Sequence, residues 1–212
     1  MKKLYSEVIN YFKKIGLSTK PELEYTDAFS LIVAVILSAQ CTDKRVNIVT
    51  PSLMQAYPNP ESMSKATTED ILAHIHSVSY PNAKAEHLLK MSSKLVTDFN
   101  SQVPDTLEKL ISLSGVGRKT ANVVLAVWFH KPAMPVDTHV FRVANRIGLT
   151  KDSKSPLETE KTLLKNIPQD LCTDVHHWLL LHGRYTCLAR KPLCDKCGLT
   201  DYCKFYDKKK AK

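Results

Sequence analysis

The stretch Leu113–Ala121 reads LSGVGRKTA, and it holds two of the six glycines in the 212-residue chain. Glycine adopts positive φ at little cost, so Gly115 and Gly117 predict a tight turn between two helices. Where the second helix begins, its first backbone amides have no partner within the helix. With the helix dipole behind them, these amides can bind a phosphate oxygen. A plain glycine cap joining two helices would explain the two glycines equally well.

Helical periodicity continues on both sides of this turn, and no segment shows the period-two alternation of a strand. The chain is therefore predicted to be all-α. The first sixteen residues carry one apolar stripe, whereas residues 28–39 are apolar nearly all round, which is typical of a helix buried at the centre of a bundle. Further helices are predicted at 44–56, 68–76, 83–98, 106–112, 118–129, 138–147, 156–167 and 174–182.

Three of these helices are expected to begin with a capping box, in which a polar residue is followed three positions later by an acidic one. The pairs are Thr67 with Asp70, Asp105 with Glu108, and Ser155 with Glu158, where Pro156 also favours a helix start. At the other end of the chain, the basic tail of Lys208 to Lys210 and Lys212 is expected to be frayed.

The composition restricts the partners of the protein. Lys and Arg total 30 against 21 Asp and Glu, a formal charge of +9. This surplus suits a polyanionic partner, although a solvated basic surface would produce it too. The longest apolar stretch, Leu31–Leu37, is far shorter than the roughly 20 residues that span a bilayer. No signal peptide is visible, so the expected location is the cytosol or the nucleus.

Four of the six cysteines crowd into residues 187–203 with the spacing C-x6-C-x2-C-x5-C. Four thiolates so close in sequence can enclose one metal centre, and the chemistry alone leaves structural zinc and a [4Fe–4S] cluster open. The other two cysteines, Cys41 and Cys172, are expected to be small core residues. Between the first two ligands, a compact loop would direct Arg190 and Lys191 to solvent and towards the phosphates of a polyanionic partner. The four predicted ligands are Cys187, Cys194, Cys197 and Cys203.

Lys119 and Asp137 are the candidate catalytic residues. A lysine is a nucleophile only when neutral, which requires desolvation or nearby positive charge. Lys119 lies at a helix start beside Arg118, and a cleft wall would add desolvation. From the residues alone, Lys119 could equally be a surface lysine that binds phosphate, and Asp137, which follows an extended stretch at 132–135, could be only an N-cap.

The full pattern resembles a known family. The hairpin LSGVGRKTA resembles the helix-hairpin-helix of DNA repair glycosylases, with Ser114 in place of the usual proline, which is expected to loosen the turn. The string KTAN at 119–122 followed by VDTHV at 136–140 resembles the endonuclease III family down to the spacing of lysine and aspartate. In that family these two residues are catalytic. The resemblance implies that Lys119 attacks the sugar C1′ and forms a Schiff base, while Asp137 stabilises positive charge on the sugar.

Two further segments resemble elements that fill the gap left by an extruded base. The string SAQCTD at 38–43 implies that Gln40 occupies that gap. The string VSYPNAKA at 78–85 implies that Tyr80 is a wedge. Two positions in the second segment depart from the family pattern, a glycine replaced by Ser79 and an aromatic residue replaced by Pro81. Thr138 and His139 are expected to line the site because they adjoin Asp137, and the hairpin contacts are expected from Gly115, Val116, Gly117 and Arg118.

The resemblance covers residues 25 to 205 and implies a two-lobed helical fold. A six-helix lobe would span 22–131, and a cluster lobe would combine 1–21 with 132–212, with DNA between them. The spacing of the four cysteines favours a [4Fe–4S] cluster over zinc. The implied activity is a DNA N-glycosylase and AP lyase in base-excision repair that removes oxidised or ring-saturated pyrimidines. The implied protein is a monomer that binds damaged double-stranded DNA, without a membrane, in the cytoplasm and at the bacterial nucleoid.

Two rivals share part of the pattern. An adenine-mismatch glycosylase has the same fold and cluster but usually lacks a lysine at the position of Lys119. A non-enzymatic helix-hairpin-helix module with structural zinc would bind DNA without lysine-dependent strand cleavage.

Overall fold

The computed structural model describes residues 2–17, 19 and 21–210, and within these ranges every regular element is helical. The prediction of an all-α protein is confirmed. The chain forms two compact units, one of Pro21–Lys131 and one that combines Met1–Lys20 with Pro132–Lys212. None of the described helices has the length and apolar character that crossing a membrane requires.

The α-helices of the described ranges are numbered along the chain. They are Lys2–Ile15 (α1), Ala28–Leu37 (α2), Asp43–Ala56 (α3), Pro60–Met63 (α4), Thr68–Ile75 (α5), Pro81–Phe99 (α6), Leu107–Ile111 (α7), Arg118–Val127 (α8), Thr138–Ile147 (α9), Pro156–Asn166 (α10), Cys172–Tyr185 (α11) and Lys204–Lys210 (α12).

Helix α2 is the core axis of the Pro21–Lys131 unit, as its sequence predicted. Every residue from Phe29 to Leu37 is buried, and α2 packs against α3, α6 and α8. An all-apolar surface needs neighbours on all sides, so this packing follows from composition. The helix begins with a capping box in which Asp27 accepts from the Ser30 amide at 2.7 Å. It therefore starts at a defined residue, and the loop that contains Gln40 follows its C-terminus.

The second unit is held by an aromatic core between its first helix and α11. Phe12 on α1 is fully buried and stacks on Trp178, with ring centroids 5.7 Å apart. The Trp178 indole donates to the Leu17 carbonyl at 3.1 Å, and the Tyr5 hydroxyl donates to the Leu149 carbonyl at 2.6 Å. These contacts join the first residues of the chain to its last third.

Two of the three predicted caps are present. Thr67 and Asp70 form the reciprocal capping box, and the Ser155 hydroxyl accepts from the Glu158 amide. The Glu158 carboxylate does not complete the capping box at Ser155 and accepts instead from the amide of Lys154.

The prediction that Asp105 caps a helix is wrong. The N-cap residue of α7 is Thr106, which makes no side-chain cap bond. The Asp105 carboxylate accepts from the Lys131 ammonium at 2.6 Å, a contact 26 residues away in sequence. This ion pair lowers the pKa of the Asp105 carboxyl. A long-range partner has therefore displaced the local cap.

Two helices were not foreseen. Pro60–Met63 is a single turn that Asn59 caps, too short to produce a periodic pattern. The basic tail was expected to be frayed, but Lys204–Lys210 is helical; Lys212 lies outside the described residues.

The buried aromatic core of the second unit predicts a large effect of removing one ring. Phe12→Ala should lower the free energy of unfolding by about 3–5 kcal/mol, because a fully buried ring leaves a cavity that its neighbours only partly fill. Lys14→Ala, an exposed change on the same helix, should alter it by less than about 0.5 kcal/mol. Urea denaturation measures both, and similar values for the two variants would contradict the assignment of this core.

Candidate functional site

The turn between α7 and α8 has the geometry that its glycines predicted. Gly115 has a φ of +77°, in the left-handed region, and Gly117 is extended as the N-cap of α8. Between them, Val116 is buried and its amide donates to the Leu113 carbonyl at 3.2 Å. Val116 therefore serves the packing of the turn, and the exposed positions at its tip are Gly115 and Gly117.

The start of α8 presents backbone amides. The first hydrogen bond of this helix runs from the Ala121 amide to the Gly117 carbonyl at 2.9 Å. The amides of Lys119 and Thr120 come before it, so no carbonyl of their own helix can accept from them. A Cβ added to Gly117 would meet no atom within 4 Å, so the approach to these amides is open. This arrangement suits an anion.

A residue that sequence reasoning missed supports the turn from below. His87 on α6 lies directly under Gly115, where an added Cβ would come within 2.9 Å of the His87 Cβ. The Ser114 hydroxyl and the His87 Nδ1 are hydrogen-bonded at 3.0 Å. The expectation that Ser114 loosens the turn is therefore wrong, because its hydroxyl ties the turn to α6.

Lys119 is the second residue of α8, and its side chain is exposed. No hydrogen bond or ion pair of its ammonium occurs in the described part of the chain. The exposed amine remains available to an incoming molecule.

Asp137 is the N-cap of α9 and is half-buried. Its Oδ1 accepts from the amides of His139 and Val140 at 2.9 and 2.8 Å. Within the described residues, Oδ2 has no hydrogen-bond partner. One oxygen thus orients the carboxylate while the other stays available, so the capping role and a chemical role are compatible.

The two residues beside Asp137 differ in their surroundings. Thr138 is exposed at the first helical position, whereas His139 is half-buried. The His139 ring nitrogen Nδ1 lies 3.2 Å from an Arg142 guanidinium nitrogen, and its Cβ faces Gly183 on α11. His139 is thus oriented by contacts within its own unit.

Gln40 and Tyr80 lie on two loops of the Pro21–Lys131 unit. Both are exposed, Tyr80 by 64%, and both have left-handed backbones with φ near +55°. The Ser79 hydroxyl donates to the Gln40 carbonyl at 2.7 Å, so one hydrogen bond joins the loops. The sequence did not indicate that these segments, 39 residues apart, would touch.

A buried lysine, also unforeseen, lies beneath these loops. Lys84 is 5% exposed, and its ammonium donates to the carbonyls of Leu37 and Ala39 at 2.8 and 2.7 Å. Burial lowers the pKa of this amine. The carbonyls at a helix C-terminus attract a cation, so Lys84 completes the end of α2.

The four cysteines of residues 187–203 line one cavity, whose other walls include Leu199 and Pro192. No three of the described cysteines, histidines and acids come together closely enough to hold a single ion. Four cysteines that line one cavity can supply the ligands of a cluster, in which each cysteine binds its own iron.

Two arginines of α9 hold this cysteine loop in place. Arg142 donates to the carbonyls of Gly183 and Cys187, and Arg146 donates to those of Leu188 and Ala189, all within 3.1 Å. These residues lie four positions apart and hence on one helix face. The predicted exposure of Arg190 and Lys191, further along the loop, is confirmed.

Burial shapes the protonation of the groups around the cavity. It raises the pKa of the Cys197 and Cys203 thiols and lowers that of His182 to about 4. The His182 Nε2 lies 3.6 Å from the Cys197 Sγ. Because a ligating cysteine must be a thiolate, a bound metal centre has to offset this cost.

The two remaining cysteines differ. Cys172 is buried, as expected, whereas the prediction of a core position for Cys41 is wrong, because Cys41 is half-exposed in the turn that follows α2.

Comparison with known families identifies two segments. Residues 33–169 match the HhH-GPD superfamily of base excision DNA repair proteins, and residues 187–203 match the iron-sulfur binding domain of endonuclease III. The first segment contains Gln40, Tyr80, the hairpin, Lys119 and Asp137, and the second begins and ends on cysteines of the cavity.

Relatives of similar length extend these matches over nearly the whole chain. Endonuclease III of Rickettsia felis is 45% identical, with 96% of this chain and 95% of the relative covered. Endonuclease III of Escherichia coli strain K12 is 40% identical, with 95% of each covered. A solved non-covalent endonuclease III–DNA complex superposes with a TM-score of 0.92 at 38% identity, covering 100% of this chain and 99% of the other. A trapped covalent endonuclease III–DNA intermediate gives the same TM-score and identity, with 99% of each chain covered.

The two hairpin glycines form a matched pair of tests. Gly115→Ala should lower the free energy of unfolding by about 1–3 kcal/mol, because its φ is positive and its Cβ would press on His87. Gly117→Ala should cost less than about 1 kcal/mol, because its Cβ enters open space. That same Cβ should obstruct a phosphate and weaken duplex binding on the order of tenfold, the value of a charge-assisted hydrogen bond.

Thermal denaturation and fluorescence anisotropy with a labelled duplex separate the two effects. Unchanged duplex affinity in Gly117→Ala would show that the amides of α8 do not bind DNA.

The cysteine cavity predicts a metal content. The purified protein should be brown with about four irons per chain, the number that a [4Fe–4S] cluster contains. Cys194→Ala should lose iron and visible absorbance together, and Cys41→Ala, whose thiol lies outside the cavity, should keep both. Iron analysis and visible spectroscopy measure this, and a colourless protein with stoichiometric zinc would refute it.

Proposed function

The chain belongs to the endonuclease III family of HhH-GPD base excision DNA repair proteins, and from this premise we propose which of its residues act on DNA and on which lesions. The protein is a DNA glycosylase and AP lyase that carries a [4Fe–4S] cluster in the segment 187–203. The proposed ligands of the cluster are the four cysteines that line one cavity: Cys187, Cys194, Cys197 and Cys203.

The hairpin is the proposed phosphate clamp. The open amides at the start of α8 face an approach that no Cβ obstructs, and a phosphate contact of this kind positions DNA without reading its sequence. The exposed Arg118 adds positive charge at the same helix start. A phosphate held there brings the adjoining sugar to the first turn of α8, which carries Lys119.

Lys119 is the proposed nucleophile, and the observation that carries this assignment is its exposed, unpaired amine in the first turn of an anion-binding helix. The Nζ lone pair forms a bond to C1′ of the damaged nucleotide while the bond from C1′ to the base breaks and the base takes the electron pair. Loss of the amine proton and opening of the sugar ring produce a Schiff base. Removal of a C2′ proton then expels the 3′ phosphate by β-elimination, and water releases the lysine.

Because Lys119 is exposed in the free protein, the DNA itself must supply the desolvation that a neutral amine needs. Binding an extruded nucleotide removes water from the amine at the moment of reaction. This order of events confines the reactive state to the complex.

Asp137 is the proposed electrostatic partner. The oxygen Oδ1 is committed to the cap of α9, which fixes the carboxylate, while Oδ2 can face positive charge that develops on the sugar and accept a proton from the nucleophile. A half-buried position strengthens that interaction relative to one in water.

Base extrusion is the proposed task of the two exposed left-handed loops. Gln40 would fill the space that the base leaves, and Tyr80, 64% exposed, would stack on the neighbouring bases. The remaining proposed DNA contacts are Gly115, Val116 and Gly117 in the hairpin, Thr138 and His139 beside the carboxylate, and Arg190 and Lys191 on the cluster loop.

The proposed substrates are oxidised or ring-saturated pyrimidines, such as thymine glycol, together with abasic sites in double-stranded DNA. The formal charge of +9 supports a polyanionic substrate, and the covalent DNA intermediate of a 38% identical relative supports a covalent step. The protein is proposed to act as a monomer on the bacterial nucleoid.

Borohydride trapping tests the nucleophile. With a thymine-glycol duplex, the wild type should form a stable covalent adduct and nick the strand, and an intact duplex should give neither. Lys119→Ala should form no adduct. Lys65→Ala, which removes an exposed lysine from the same unit, should form it at the rate of the wild type.

Asp137→Asn tests the carboxylate without removing the cap, because an asparagine side chain also accepts from helix amides. The rate of adduct formation should fall on the order of 10²-fold or more, while the melting temperature stays within a few degrees. An adduct with Lys119→Ala, or DNA binding without any strand cleavage by the wild type, would disprove the proposed mechanism.

A further inference from the structure

The loops that carry Gln40 and Tyr80 are anchored to each other through Ser79 and Lys84. The Ser79 hydroxyl donates to the carbonyl of Gln40 itself, at 2.7 Å. Ser79 is also the residue directly before Tyr80. A single side chain therefore connects the backbone of one proposed DNA-inserting residue to that of the other.

Both residues have backbones that would not hold their conformation alone. Gln40 and Tyr80 have φ values of +54° and +55°, in the left-handed region that is unfavourable for a residue with a Cβ. Such conformations persist only where the surroundings over-determine them. The hydrogen bond to the Gln40 carbonyl fixes the peptide plane directly after that residue.

Lys84 makes a second, buried connection between the same two loops. Its buried ammonium donates to the Leu37 and Ala39 carbonyls, three residues and one residue before Gln40. Lys84 lies in the first turn of α6, and its amide donates to the Tyr80 carbonyl at 3.2 Å. The end of α2 and the start of α6 are thus joined twice, deeply by Lys84 and at the surface by Ser79.

We propose that Ser79 is a positioning residue that couples Gln40 to Tyr80, so that the gap-filling residue and the wedge enter DNA as one preorganised unit. This inference rests on the proposed roles of Gln40 and Tyr80. A glycine at position 79 would have no side-chain donor, and the loop of Gln40 would then have to be ordered when DNA binds. Ordering a loop before binding removes that cost from the affinity.

A double-mutant cycle tests the coupling. The probe is a duplex that contains a tetrahydrofuran, a stable abasic analogue, with 2-aminopurine opposite it to report by fluorescence when the orphan base is unstacked. Ser79→Ala should weaken binding of this duplex about fivefold, the value of one hydrogen bond, and should reduce the 2-aminopurine signal. In the Gln40→Ala background, Ser79→Ala should weaken binding less than twofold, because the residue that it positions is already gone.

Two variants separate positioning from a general structural role. Ser79→Thr keeps the hydroxyl and should restore both affinity and fluorescence. Ser93→Ala removes another hydroxyl of α6 that donates to a backbone carbonyl, that of Leu89, and should change neither. All variants should bind an undamaged duplex with the affinity of the wild type, because the hairpin and the basic surface are unaltered.

The outcomes distinguish this inference from the proposed function. If Gln40→Ala alone leaves the affinity for the tetrahydrofuran duplex unchanged, the gap-filling role fails, and the coupling fails with it. If Gln40→Ala weakens binding but Ser79→Ala has the same effect with and without Gln40, only the coupling is overturned. Equal weakening for damaged and undamaged duplexes would also overturn it.

Discussion

In the Pro21–Lys131 unit, the loops that carry Gln40 and Tyr80 depend on the hydrogen bonds of the buried Lys84 ammonium. Helix α2 is apolar all round and buried, so its last carbonyls lie where solvent cannot reach all of them. A buried carbonyl without a donor costs about as much as a lost hydrogen bond. Lys84 supplies the donors from α6, and the charge stays buried because two carbonyls at a helix C-terminus surround it. The loop that follows α2 thereby acquires a fixed start.

Long cationic side chains also donate to backbone carbonyls in the other unit, at the cysteine loop. The cysteine loop has little regular structure, so its carbonyls need side-chain donors. Arg142 and Arg146 supply them from one face of α9. Asp137 caps the N-terminus of this same helix. One helix therefore fixes both the candidate catalytic carboxylate and the loop that carries the four cysteines.

The turn that precedes Lys119 is likewise supported by side chains from only one side. The proposed phosphate clamp requires open amides, and a Cβ added to Gly117 would meet no atom within 4 Å, so the start of α8 is uncovered on that side. The Lys119 side chain, in the first turn of this helix, is exposed as well. Support comes instead from beneath, where His87 packs against Gly115 and bonds Ser114. The turn is rigid on its inner side and open on its outer side.

The sequence by itself determined the helical class, most of the helix positions, the turn at Gly115 and the family resemblance from which the candidate site residues were chosen. These features depend on interactions within about four residues, such as caps, periodicity and glycine φ, which a linear pattern records. The tertiary structure alone decided which loops are tied together and by what. The contacts of Ser79 and Lys84 span 39 to 47 residues, and that of Ser114 with His87 spans 27. The same holds for Asp105, which has Lys131 as its partner instead of a helix start, and for Lys119, whose exposure depends on what packs nearby. Such partners exist only once packed helices bring distant residues together, so no local pattern could show them.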